Sequence, residues 1–143
     1  MTPVDNKILD FISEHHILTL AVSFQDRPWC ATCFYVYLQE KNLFVFTSDD
    51  DTRHIRDFIA SGNSMAAGAI ALETKMVGNI RGIQFAGSMR KLAGQELDEA
   101  KKAYVRAFPV AMLAHLELWG LEPEEIKMTD NRFGFGKKLI WRK

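Results

Sequence analysis

A chain of 143 residues with 48% apolar and 25% charged side chains has the make-up of an ordinary folded domain, long enough to bury about 68–70% of the surface it exposes when unfolded. Its 18 basic and 18 acidic residues cancel, so there is no broad positive field to attract nucleic acid or an anionic membrane. No apolar run reaches the ~18 residues of a spanning helix, and the opening M-T-P-V-D-N-K-I lacks the basic and then apolar regions of a secretion signal, which makes a cytoplasmic location the expectation.

No repeat, low-complexity tract or Pro/Gly-rich linker divides the sequence, so residues 1–143 are expected to form a single domain. Residues 3 to 14 place Val4, Ile8, Phe11 and Ile12 at helical spacing, with Pro3 suited to a first turn. I-L-T-L-A-V-S-F (17 to 24) reads as a strand, Q-D-R-P as a turn, and W-C-A-T-C-F-Y-V-Y-L as a long second strand. After the turn Q-E-K-N comes L-F-V-F-T-S (43 to 48), and three strands joined by short connections suggest an antiparallel meander. A helix follows the aspartate run, with Ile55, Phe58 and Ile59 on one face and Gly62-Asn63 as its stop.

Residues 64 to 72 are rich in alanine, yet Gly68 and the neighbouring strands favour a buried strand that something approaches closely. Residues 80 to 92 form another strand, with Gly82 and Gly87 as expected bulges or bends and Gly82, Gln84, Ala86 and Ser88 on one face. Leu97, Ala100, Tyr104 and Phe108 mark an amphipathic helix that stops before Pro109. Residues 124 to 130 and 138 to 142 are expected as the last strands. The sum is mainly β with flanking helices, an α+β domain built as a small barrel with helices over its openings.

Several residues have a plain structural reading. Cys30 and Cys33 share the C-x-x-C spacing of thiol oxidoreductases, but on a strand that spacing separates them by roughly 10 Å on opposite faces, so both are expected to be small core residues. His15 and His16 suit a helix end, and four histidines without a ligand-spaced cluster make a metal site improbable. Trp141 suits a core or an interface between subunits.

The junction T-S-D-D-D-T-R-H (47 to 54) carries two readings. Aspartates in a first helical turn stabilise by about 0.3–1 kcal/mol each, which needs no ligand. Thr52, Arg53 and His54 at a helix N-terminus also suit an anion, and a direct charged hydrogen bond contributes about 1.5–3 kcal/mol against on the order of 1 kcal/mol of repulsion from a solvated carboxylate farther off.

In order and spacing, D-R-P-W-C-A-T-C-F-Y-V-Y, L-F-V-F-T-S, T-R-H-I-R-D-F and R-G-I-Q-F-A-G-S-M resemble the pyridoxamine-5'-phosphate-oxidase-like, FMN-binding split-barrel family, over roughly residues 15 to 95 and more loosely to the end. The likeness is greatest to a small bacterial branch without an assigned role. The resemblance implies a homodimer with each flavin site at the seam between subunits. It puts the FMN phosphate near Thr47, Ser48, Thr52, Arg53 and His54, lines the ring system with Thr32, Cys33 and Phe34, and brings Gln84 to its polar edge. His54 stands where related sequences often carry Lys, which leaves the position only partly charged near neutral pH.

An FMN-dependent oxidoreductase acting on a small substrate is the activity such a site would carry, since no Ser/His/Asp set or paired carboxylate suggests hydrolysis. Two alternatives stay open: a split barrel holding haem or a deazaflavin, and a cofactor-free dimeric interaction protein.

Overall fold

In the computed structural model, which describes residues 2–143, Asp5 opens the first helix: its carboxylate accepts the Lys7 N–H at 2.8 Å and satisfies one of the free donors of a first turn. The helix is α1 (Asn6–Glu14), so Pro3 lies ahead of it rather than in its first turn. Seven strands follow: β1 (Ile17–Phe24), β2 (Arg27–Leu38), β3 (Leu43–Thr47), β4 (Met65–Ala71), β5 (Arg81–Lys91), β6 (Leu118–Asp130) and β7 (Lys138–Arg142). Between β3 and β4 runs α2 (Arg53–Ser61), and between β5 and β6 runs α3 (Gly94–Ala107).

All pairings are antiparallel. The strand order is β3-β2-β1-β4-β5-β6-β7, and a further pairing of β3 with β6 closes the sheet into a barrel with β7 outside it. Along β6 the work is divided: residues 118–121 face β3, and residues 125–129 face β7. The fold is thus mainly β with flanking helices, as the alternating segments predict. The turn between β1 and β2 holds Gln25 and Asp26 at φ of 52° and 60°, the mirror-image hairpin geometry whose twist matches that of its strands.

The barrel interior is aliphatic and aromatic. Phe44 and Phe85 stack with centroids 4.2 Å apart and planes 8° from parallel, ringed by Leu18, Leu20, Tyr35, Ile83 and Leu121. α1 closes the end where β1 begins, with Ile8, Phe11 and Ile12 buried, and α2 adds Ile55 and Phe58 at the end where β3 stops. Trp141 belongs to this core, its indole donating to the Thr2 carbonyl at 2.8 Å. A second cluster lies outside the barrel, where Leu43, Val45 and Leu118 are covered by Ala100 and Tyr104 of α3.

Two expectations change, the start of the last long strand and the place of Cys30, while the bend at Gly87 and the close approach at Gly68 are met by the protein itself. β6 begins at Leu118 rather than near residue 124, because residues 118–121 are buried throughout and so show no alternation. Its register slips where Gly87 faces Pro123, and a Cβ on Gly87 would sit 1.9 Å from the Glu122 carbonyl oxygen; the glycine is required by the β6 backbone. At Gly68 the close neighbour is the ring of Phe85, 2.5 Å from where a Cβ would stand, so the space belongs to the protein's own core. Cys30 is exposed rather than buried, because it shares the outward face with Ala21, while Cys33 points inward.

Candidate functional site at the end of β3

β3 runs out at Thr47, and three groups fasten the backbone that follows. The Glu117 carbonyl accepts from Ser48 N at 3.2 Å and from Thr47 Oγ1 at 3.3 Å, and the Glu117 carboxylate accepts from Asp50 N at 3.2 Å. Lys91 then ties Asp50 to Glu117, at 2.8 Å and 3.6 Å. The aspartates are therefore not first-turn residues: α2 starts at Arg53, its first turn holds no acid, and Asp50 is committed to Lys91.

Thr52 is the N-cap of α2, yet its side chain does not cap; Oγ1 donates backward to the Asp49 carbonyl at 2.7 Å. The first N–H groups of α2 are thus left without a side-chain acceptor, although Ser, Asp and Thr all stand within reach in sequence. Free donors and the positive end of the helix dipole make such a terminus suited to an anion.

His54 folds back over this turn. Its Nε2 lies 2.8 Å from Ser48 Oγ and 3.4 Å from Thr52 Oγ1, and Ser48 Oγ lies 3.7 Å from the Cys33 thiol. Since the Thr52 hydroxyl gives its proton to Asp49, a hydrogen on Nε2 satisfies both oxygens. Burial lowers the His54 pKa from its ordinary value, which favours the neutral imidazole at pH 7, and burial raises that of Cys33 against the lowering effect of Ser48. Arg53 lies over Trp29, its guanidinium carbon 3.8 Å from the ring centroid, with only a 3.4 Å contact to Asp57.

The fold brings Thr47, Ser48, Thr52, Arg53, His54 and Cys33 together at one corner. The Cys33 side chain enters from the barrel interior. Thr32 and the half-exposed Phe34 lie on the outward face of β2, in register with Thr19 and Ile17 of β1. Gln84 occupies the same outer surface, but the row Thr32, Thr19, Ala69, Gln84 crosses three strand gaps, about 14 Å at the usual strand spacing. Within one chain Gln84 therefore stands well apart from Thr32.

Around that row the outer wall is lined by small side chains, Ala21, Cys30, Ala67 and Ala86, and no helix among the described residues covers it. The role of Glu117 and Lys91 in fastening the corner had no sequence signal, since both come from segments far along the chain. Among the described residues no group of three or more His, Cys, Asp or Glu gathers as a metal site, and no helix is long and apolar enough to cross a membrane.

This architecture is the pyridoxamine-5'-phosphate-oxidase-like split barrel. Superposition relates the chain to a haem-binding protein from Mycobacterium smegmatis (TM-score 0.78, 19% identity, covering 99% of this chain and 59% of that one). A FAD-binding protein from Mesorhizobium loti gives 0.70 at 10% identity, covering 87% and 93%, and a Listeria innocua protein described as a candidate pyridoxamine 5'-phosphate oxidase gives 0.62 at 13%, covering 85% and 91%.

No family model matches the sequence. Relatives do: a UPF0306 protein of Klebsiella pneumoniae (strain 342) is 42% identical over 133 residues, 93% of this chain and 89% of its own. The UPF0306 protein YhbP of Escherichia coli O157:H7 is 40% identical over 131 residues, 92% and 88%. The chain belongs to the UPF0306 family.

Proposed function

We propose that the protein is a homodimer that binds FMN at the β3–α2 corner and serves as an FMN-dependent oxidoreductase for a small substrate. One observation carries this reading: α2 begins without a side-chain cap although potential caps surround it, and Ser48, Thr52, Arg53 and His54 converge there. The phosphate would take the free N–H groups of the first turn and the Arg53 guanidinium, which a weak contact to Asp57 leaves available. Bound flavin would supply the hydride and electron chemistry, and the chain's own part is to hold and shield it.

The second subunit answers two features at once. A sheet face lined by alanine and cysteine is shaped for close approach by another flat face, and Ile17, Phe34 and Met65 border it as exposed apolar residues. Gln84, too distant from Thr32 within one chain, would reach the flavin of a second copy across a two-fold seam.

The fold neighbour that binds haem supplies the alternative, and spectroscopy separates the two. The expected result is a protein that quenches FMN fluorescence saturably and sediments as a dimer, with binding lost in Arg53→Ala. A protein that leaves FMN unquenched, or that takes up haem with a Soret band while ignoring FMN, overturns the proposal.

A further inference from the structure

Away from the corner, α3 and the segment that follows it enclose an open groove of about 790 Å³, within the range of small-molecule sites. None of its lining residues belongs to the proposed flavin site. One wall comes from the exposed side of α3, where Asp98, Lys101, Lys102, Val105 and Arg106 fall on one stripe at helical spacing. The other wall comes from the 3-10 turn Pro109–Leu113 and the residues after it, through Ala111, Met112 and Leu116.

Charge and polarity are separated along this groove. Lys101, Lys102 and Arg106 form no ion pair among the described residues, and Asp98 is the single acid in the lining, so a net positive rim stands over an apolar floor. Elsewhere on the same helix the charges are matched: Glu99 holds Lys41 at 2.7 Å and Glu96 holds Arg90 at 2.8 Å. The apolar side is also more open than a monomer needs, with Met112 73% and Leu113 90% exposed.

We infer that this groove binds a long-chain carboxylate of the fatty-acid type, its acid group on Lys101, Lys102 and Arg106 and its chain along Val105, Ala111, Met112 and Leu116. A cationic rim beside an apolar floor suits a ligand with an acid head and an acyl chain. The lining contains no imidazole or thiolate to hold a haem iron.

Calorimetric titration of the full chain with dodecanoate below its micelle concentration, in the presence and absence of FMN, tests the inference. The expected result is saturable binding at one site per chain, unaffected by FMN and by Arg53→Ala. Reversal of the rim in Lys101→Glu/Lys102→Glu/Arg106→Glu should weaken it about tenfold or more, the scale of losing a charge-assisted hydrogen bond. Dodecanol should bind more weakly than dodecanoate, and Met112→Asp should weaken both. All four positions are exposed, so circular dichroism should be unchanged. Absence of saturable binding, or binding indifferent to the charge reversals, overturns the inference. So does a self-association that Leu113→Asp abolishes in a protein that takes up no dodecanoate, because the groove would then be a contact between copies.

Discussion

The barrel's outer wall has two halves, and different strands of the one sheet build them. Where β3 and the start of β6 face outward, the side chains are Val45, Leu43 and Leu118, and α3 covers them. Where β1, β4 and β5 face outward, they are Ala21, Ala67 and Ala86, and no helix among the described residues covers them. Large side chains leave room only for a helix standing off on its own ridge, whereas alanines let a second sheet come close. The contrast shows that a half-bare barrel need not be poorly designed: its bare half has the texture of an interface, while its covered half has that of a core.

Removing a ring from the interior sets the scale for that contrast. Phe85→Ala deletes one partner of the Phe44 stack and should cost about 3–5 kcal/mol, read as a lower urea midpoint at unchanged slope. At the corner, Arg53→Ala should weaken FMN by roughly 10- to 100-fold in fluorescence titration, the loss of one charged hydrogen bond of about 1.5–3 kcal/mol, without changing the fold.

The histidine gives a smaller and pH-dependent effect. Burial depresses the His54 pKa in the folded protein, so the stability it contributes is present above about 6.5, its unfolded value, and is lost as pH falls through the lowered folded value. A bound phosphate favours the imidazolium, and FMN should therefore bind more tightly at pH 6 than at pH 8; in His54→Lys the two affinities should converge. On the bare half, Ala67→Arg should alter monomer stability by no more than about 0.5 kcal/mol while halving the sedimenting mass. An Ala67→Arg protein that remains dimeric would show that the second subunit lies elsewhere.

Much of this was legible in the sequence because local rules and tertiary structure agree. Residues 17–24 and 80–92 read as strands, with Gly82, Gln84, Ala86 and Ser88 on one face, and the structure has strands at Ile17–Phe24 and Arg81–Lys91 with that face turned away from the buried Ile83, Phe85 and Met89. Leu118–Leu121 escaped notice because both faces of that stretch are buried, one by the barrel and one by α3, so period two has nothing to show. The aspartates read as helix-capping residues by propensity, but Lys91 and the Glu117 backbone, distant in the chain, pull the turn into another path. The corner's membership was legible from T-S and T-R-H, whereas the separation of Gln84 from Thr32 depends on strand order, which no local pattern contains.

The missing cap on α2 has a consequence in time as well as in space. A terminal turn whose donors lack a side-chain cap frays ahead of the rest of its helix, so the amide protons of Arg53 and His54 should trade with deuterium sooner than those of Arg56 to Ile59. Those two are also protons a phosphate would clasp, and slower exchange at them alone would report an occupied corner even in a preparation with no visible colour.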